Sequence, residues 1–353
     1  MTAEMVTETD KNKLSGHFEQ FDGLRGFAII FVVLQHCNLF VNGGWIADGI
    51  FFVLAGFFLV NPYKADNEKR FLSLRGILGF YKNRAIRILP TYYLILLVVY
   101  LHSGYLWIPK ETFIRLLYFG DIWGTLWFLY AYFWIMFIIP YFFLGVQLLA
   151  KKVNALNKDL VCAGIFLFLG EIYRAIVLSF DIFDIRLEQL MIGIATGYVC
   201  RLICKNEKLR SAAEKHRFLG DSLSGIILLL IIIYSSGKLM KFLDPVLGNY
   251  SAGNLFLFLT GIIMCFLIMF LCLYSSGVVS RLLSIKPMVF LGKISYTVYL
   301  IHIFVSLQIK VESDFLWFLC TFSVSIVLAY LIETALSFVI DKCKALKAKH
   351  VKA

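Results

Sequence analysis

Charge is what this sequence has least of. Of its 353 residues only 16% are Asp, Glu, Lys or Arg and 60% are hydrophobic, whereas a soluble chain is roughly a quarter charged. With a mean hydropathy of +0.80, the chain has too little polar surface for a soluble domain. It also lacks a CxxC pair and any cysteine in a segment assigned to the outside. Its eight cysteines therefore suggest neither a disulfide framework nor a metal site, and they are read as packing residues. No internal repeat is strong enough to suggest a transporter with inverted halves, and no attached soluble domain is expected. The stretch from Met1 to Asp22 has no h-region and no small-residue cleavage site, so it is not read as a cleavable leader. The net charge of +11 does not imply a nucleic-acid partner, because the basic residues sit in short loops between apolar blocks.

Those blocks are each about 20 residues long, the length at which a helix crosses a bilayer core. Ten spans are predicted: Leu24–Phe40, Trp45–Val60, Ile88–Leu101, Gly124–Phe143, Leu160–Phe180, Leu187–Ile203, Leu223–Leu243, Asn254–Tyr274, Met288–Leu307 and Phe315–Ile340. The second is short and interrupted by glycine, and is expected to tilt or turn irregular where it lines a cavity. With the N-terminus in the cytoplasm, the inside loops collect most of the 34 Lys and Arg. Only Lys110, Arg115, Arg186, Lys238, Lys241 and Lys310 fall outside, with Arg25 and Arg174 left within spans. Short loops rich in Lys and Arg stay in the cytoplasm, so the bias sets both termini inside. One missed helix would scramble that alternation. The expected fold is an all-α polytopic membrane protein of about ten transmembrane helices, with a cytoplasmic segment at 1–23, a transmembrane domain at 24–340 and a basic cytoplasmic tail at 341–353. The longest loops, Asn61–Arg87 and Arg201–Ser222, are inside and basic.

An ionisable group in a bilayer costs several kcal/mol, so each one needs a reason. The first span carries Arg25 at its cytoplasmic end and His36 in its outer half. At 3.6 residues per turn the two share a face, about 16 Å apart along the axis. Arg25 alone reads equally as a snorkelling anchor, and His36 alone as a hydrogen-bonded core histidine. Asp48, at the outer end of the second span, is at the depth where a carboxylate could hold one imidazole nitrogen of His36 and raise the basicity of the other. Arg84 and Arg87 are i, i+3 neighbours just before the third span, a doublet of planar donor forks suited to phosphate. Plain topology signal explains them too. Pro90 is expected to kink the helix that follows. In the fifth span Glu171 and Arg174 are spaced to pair on one face, either as a structural ion pair or as a site for a polar acceptor. The ninth span carries a polar stripe of Ser295, Tyr296, Tyr299 and His302, and Glu333 is a further acid in the last span. Trp123, Trp127, Tyr130 and Tyr132 sit near the outer end of the fourth span, where an aromatic belt and a sugar-stacking surface look alike.

Five segments in order, FDGLRGFAIIFVVLQH, DGIFFVLAGFFL, FYKNRAIRILPTYY, TLWFLYAYF and LGKISYTVYLIH, resemble acyltransferase family 3, the membrane-bound O-acyltransferases that acetylate surface glycans. The resemblance spans essentially the whole chain, and the Arg-x10-His signature of its first helix is Arg25 and His36 here. It implies acyl-CoA, acetyl-CoA by default, as a cytosolic co-substrate with no bound cofactor or metal. The implied acceptor is a hydroxyl of a glycan or lipid-linked saccharide. His36 is then the implied base, Arg25 assists donor binding, and Arg84 and Arg87 meet the CoA phosphates. Trp127, Glu171, Arg174, Tyr296, Tyr299 and His302 are the candidates for holding the acceptor. Two departures stand out. Tyr132 replaces a glutamate that many members carry five residues after the tryptophan of the fourth helix, and Thr125 replaces a histidine. A transporter or flippase of lipid-linked sugar, and a sensor or scaffold, are the other classes compatible with buried charge in ten helices. Transfer of label from acyl-CoA separates the first from both.

Overall fold

A computed structural model describes residues 18–60, 67–103, 126–153, 155–180, 185–237 and 249–350; Trp123 and Thr125 lie outside these. Among the described residues the structure is helical, without a strand. In chain order the helices are α1 (Glu19–His36), α2 (Gly43–Val60), α3 (Leu74–Ser103), α4 (Trp127–Leu149), α5 (Ala155–Phe180), α6 (Leu187–Lys205), α7 (Glu207–Lys215), α8 (Arg217–Ser235), α9 (Asn249–Leu273), α10 (Val278–Leu283), α11 (Lys286–Gln308) and α12 (Asp314–His350). Each of the ten predicted spans coincides with one of these helices. Among the described residues, eight are long and apolar enough to cross a membrane by length and composition. Of the other two, α1 holds Glu19, Asp22 and Arg25 in its first turns, and α9 runs over Asn249–Leu273 with an apolar stretch at Leu259–Leu273.

Packing divides the helices into an inner and an outer set. In α2 and α6, 78% of the spanning residues are buried, against 22% in α5, α8 and α12. The outer helices present large apolar side chains outward, among them Phe168, Phe315, Leu316, Val327 and Leu331. In water such an exposed apolar surface would drive association; in lipid it is the matching solvent. The polytopic membrane assignment thus rests on packing as well as composition.

The inner helices touch through glycine. A Cβ added at Gly193 would lie 2.1 Å from the Val53 carbonyl oxygen, and one at Gly197 3.0 Å from that of Phe57, so α2 and α6 run parallel, and one at Gly56, 2.0 Å from the Leu190 carbonyl oxygen, shows the backbones in contact. The glycines expected to make α2 irregular instead leave it a continuous helix and let α6 approach, as small residues do between membrane helices. The pair α1 and α11 is built the same way, with a Cβ at Gly292 only 1.8 Å from the Asp22 carbonyl oxygen and one at Gly26 2.3 Å from that of Met288. These two also run parallel, Gly26 meeting Gly292 early in both and His36 lying beside His302 ten residues further along each, while α1 and α2 are antiparallel, since Gly44 N–H donates to Gln35 Oε1 at 2.6 Å near the end of α1. Odd spans with odd and even with even is the order that the charge alternation requires. Substituting Gly292→Ala is expected to force α1 and α11 apart and cost about 1–3 kcal/mol as overpacking does. A lowered thermal unfolding midpoint in detergent would register it, and an unchanged midpoint would contradict the contact.

Two segments expected as loops are ordered. Residues Asn67–Leu72 form a 3₁₀ turn, and α3 begins at Leu74, well before Ile88. Ser73 caps that start, its hydroxyl accepting from Gly76 N–H at 3.1 Å. The second loop contains α7, capped by Asn206, whose side-chain oxygen accepts from Lys208 and Leu209 N–H. The 3₁₀ turn is anchored by Arg201 of α6, which donates to both Glu68 oxygens at 2.9 and 2.7 Å and to Asp159 at 2.7 Å. All three side chains are buried. A basic residue read as topology signal is therefore the centre of an ion triad that ties the 3₁₀ turn, α5 and α6 together.

Candidate active site

The polar residues of α1, α3 and α11 meet around one cavity of about 360 Å³, within the usual size of a small-molecule site. Its cationic wall is Arg25, Arg84, Arg87 and Lys293, with Asp22 the single carboxylate. The opposing surface is largely aromatic: Phe51, Phe58, Phe128, Tyr132, Tyr296 and Tyr299. Arg84 and Arg87 arrive there because α3 is already helical at Leu74, which carries the i, i+3 doublet to the cavity on a rigid element. Their three-residue spacing keeps both on one face.

Individual contacts fix these groups. Arg25 pairs with Asp22 at 2.6 Å and lies over the Phe58 ring at 5.1 Å. Arg84 donates to the Tyr132 hydroxyl at 2.8 Å. Tyr132, which stands in place of a family glutamate and was grouped with the aromatic belt, is thus turned inward as an uncharged partner for a cavity arginine. Tyr296 donates to the Ile88 carbonyl at 3.1 Å, linking α11 to α3. The positive field reaches the 3₁₀ turn as well. Burial and then the charge of Arg84 push the Arg70 guanidinium down to about 10, with Glu68 pulling the other way. Four cations against one carboxylate leave the cavity strongly positive, an arrangement that would draw in a polyanion.

The aromatic wall leads away from this cationic rim. Tyr299 lines the cavity, and its ring centre is 5.8 Å from that of His302, which is in turn 5.1 Å from that of His36. His302 is buried and His36 half-buried. Arg25 and His36 thus keep the relation that their spacing predicts, at opposite ends of one helix face. His36 packs beside His302, which packs beside Tyr299, and neither histidine stands in the cavity wall itself.

The remaining candidates lie elsewhere. The charged neighbour of buried Asp48 is Arg186, and among the described residues no hydrogen bond joins Asp48 to His36. Arg186, counted as an outside loop cation, is buried, has a left-handed backbone with φ of 60°, and lies over both Trp45 and Trp127 at 5.2 and 5.7 Å. Trp127 packs against Trp45 at 5.8 Å and is not in the cavity wall. Glu171 and Arg174 pair with each other at 2.9 Å on α5, both partly exposed, and also stand apart from the cavity. Glu333 receives a hydrogen bond from the Thr297 hydroxyl, which ties α12 to α11. Asp22, Lys293 and Tyr132 were not singled out as site residues. Asp22, three residues before Arg25, was legible as its helix-face partner; Tyr132 was marked only as a departure from the family pattern and as one of an aromatic group, and Lys293 carried no local signal.

Fold and site together define a polytopic helical membrane protein with a positively charged, aromatic-lined cavity and a pair of histidines packed behind one of its tyrosines. A family model described as an acyltransferase domain matches residues 18–334, and the chain belongs to this acyltransferase family. It is 24% identical to the putative peptidoglycan O-acetyltransferase YrhL of Bacillus subtilis (strain 168) over 320 residues, covering 80% of this chain and 47% of that protein. It is 26% identical to the peptidoglycan O-acetyltransferase OatA of Listeria monocytogenes serovar 1/2a (strain ATCC BAA-679 / EGD-e) over 316 residues, covering 80% of this chain and 48% of that one. The chain thus spans about half the length of these curated relatives. No solved structure matches it.

Proposed function

We propose that the protein is a membrane O-acetyltransferase that moves an acetyl group from cytosolic acetyl-CoA to a hydroxyl of peptidoglycan or a related surface glycan, with His36 as general base. It would do so in the cell membrane of a bacterium, with both termini in the cytoplasm. The observation that carries this reading is that one cavity is lined by Arg25, Arg84, Arg87 and Lys293 and also by Tyr299, behind which His302 and then His36 lie at ring distances of 5.8 and 5.1 Å. Acetyl-CoA has the same polarity, phosphates at one end and a thioester at the other, joined by a thin arm that suits an aromatic passage. Guanidinium groups meet phosphate with paired, charge-assisted hydrogen bonds. The acceptor would reach the thioester from the His36 end, where Tyr299 and Tyr296 offer polar contacts and Trp45 and Trp127 a stacking face, while His302 faces His36. Asp48, which faces Arg186, would act on His36 only at a distance. Glu171 and Arg174 are satisfied by one another and are not needed.

In the reaction the acceptor oxygen bonds to the thioester carbonyl carbon as its proton passes to His36. The C–S bond then breaks and the proton moves on to the departing CoA sulfur. Direct transfer is favoured because the cavity wall holds no cysteine and its one serine, Ser295, donates its hydroxyl to the Gly292 carbonyl at 2.9 Å. The test is transfer of labelled acetyl from acetyl-CoA to peptidoglycan fragments by the protein in lipid nanodiscs. Arg84→Gln with Arg87→Gln is expected to raise KM for acetyl-CoA about tenfold or more, one lost charged hydrogen bond being worth about 1.5–3 kcal/mol, with kcat much less affected. No incorporation of label by the unaltered protein into any glycan would overturn the reading.

A further inference from the structure

The buried imidazole of His302 presents an acceptor that nothing in the protein satisfies. Its Nδ1 lies 2.6 Å from the Tyr299 carbonyl oxygen and 3.3 Å from that of Val298. A carbonyl only accepts, so Nδ1 carries the proton, and in the neutral ring Nε2 is then a lone-pair acceptor. The residue is 1% exposed, and no group among the described residues donates to Nε2. An unmatched buried acceptor is costly and calls for an explanation. The ring beside it is His36, with centres 5.1 Å apart and planes tilted by 51°. Two imidazoles joined by an N–H···N bond of about 2.9 Å have centres roughly 5 Å apart. A turn of the half-buried His36 ring at the end of α1 is therefore enough to make the bond.

We propose that His302 is the orienting partner of His36, with its Nε2 accepting the His36 N–H that faces away from the substrate. This rests on the reading of His36 as the base. Nδ1 of His302 is pinned to the backbone of its own helix, so the tautomer of one ring dictates that of the other. His36 is left with its free lone pair toward the acceptor hydroxyl. When His36 takes the hydroxyl proton, its second N–H is already hydrogen-bonded, and the imidazolium is stabilised without water. His302 neither gains nor loses a proton in the cycle; the proton passes from the acceptor oxygen to His36 and on to the CoA sulfur. The role matches that of the carboxylate in a Ser-His-Asp triad, which orients the base and stays unprotonated, with a neutral acceptor in place of a charged one. It is the role that the sequence suggested for Asp48, which instead faces Arg186.

The test uses the full chain in nanodiscs with acetyl-CoA and peptidoglycan fragments. His302→Asn retains a donor for the Tyr299 carbonyl but has no atom at the Nε2 position, whereas His302→Gln retains an acceptor there. The expected result is a fall of about 10²-fold in kcat for the Asn variant, the scale of a partner that orients a catalytic group, with KM for acetyl-CoA unchanged. The Gln variant should recover about tenfold of that loss, and His36→Ala with His302→Asn should be no slower than His36→Ala alone. A wild-type rate in the Asn variant, a raised KM at unchanged kcat, no recovery with Gln, or losses that multiply in the double variant would each overturn the pairing. The outcomes also separate the two readings. If His36→Ala is inactive while His302→Asn is normal, only the pairing falls; if His36→Ala remains active, the assignment of the base falls with it.

Discussion

His36→Ala is expected to lower acetyl transfer by about 10²–10⁴-fold in kcat, the contribution of a positioned general base, while leaving KM for acetyl-CoA near its original value. The split follows from the geometry. The groups that would hold the donor phosphates, Arg25, Arg84, Arg87 and Lys293, line the cavity, whereas His36 lies beyond Tyr299 and His302. Removing it should therefore act on the chemical step and not on binding. His36 is the last residue of α1 and half-buried, and the α1–α11 contact depends on Gly26 and Gly292 further back. The variant should accordingly fold and insert as the original does. Mass spectrometry of cell-wall glycan from cells carrying each form would show the acetyl increment lost. Near-normal acetylation by His36→Ala would remove His36 from the mechanism.

The second large effect is expected on stability, far from the cavity. Arg201 neutralises two buried carboxylates at once, Glu68 and Asp159, through five hydrogen bonds. Arg201→Ala would leave both acids in a low-dielectric interior with the exposed Lys205, 3.7 Å from Asp159, and Arg70 near Glu68 as the remaining counter-charges. Breaking a buried ion pair by removing one partner costs about 3–5 kcal/mol, a large share of the marginal stability of any protein. The thermal unfolding midpoint of the purified variant should fall by several degrees, and the yield of inserted protein with it. Adding Glu68→Gln and Asp159→Asn to Arg201→Met should recover part of the loss, because the uncompensated charges are then gone. An Arg201→Ala protein that melts with the original would mean the triad contributes nothing. The consequence would extend to activity, since the 3₁₀ turn that the triad anchors immediately precedes α3, which carries Arg84 and Arg87.

How much of this was legible in advance differs from residue to residue. Arg25 and His36 were placed on one helix face by spacing alone, because the period of an α-helix is a local property. Arg84 and Arg87 were legible as a doublet on the same ground, though not the early start of α3, which depends on Ser73 capping and on the Glu68 anchor. Tyr296 and Tyr299 were visible as a polar stripe in an apolar helix, and both line the cavity. Asp48 looked to be at the right depth for His36 but faces Arg186, because depth along the membrane normal says nothing about which neighbour a side chain turns toward. Glu171 and Arg174 offered two readings that no sequence argument could separate; their pairing on a partly exposed face favours the structural one.

By itself the sequence determined the properties set over one or a few helical turns: the apolar blocks that demand a bilayer, the alternation of basic loops, the shared face of Arg25 and His36, and the motifs that mark the family. The tertiary structure alone decided the partnerships between helices: Arg201 with Glu68 across 133 positions, Tyr132 with Arg84 across 48, and His302 beside His36. The physical reason is that helix periodicity fixes the direction of a side chain relative to its own axis. Which surface meets that side chain depends on how closely two axes approach, and for α1 with α11 and α2 with α6 that distance is set by glycines on both helices.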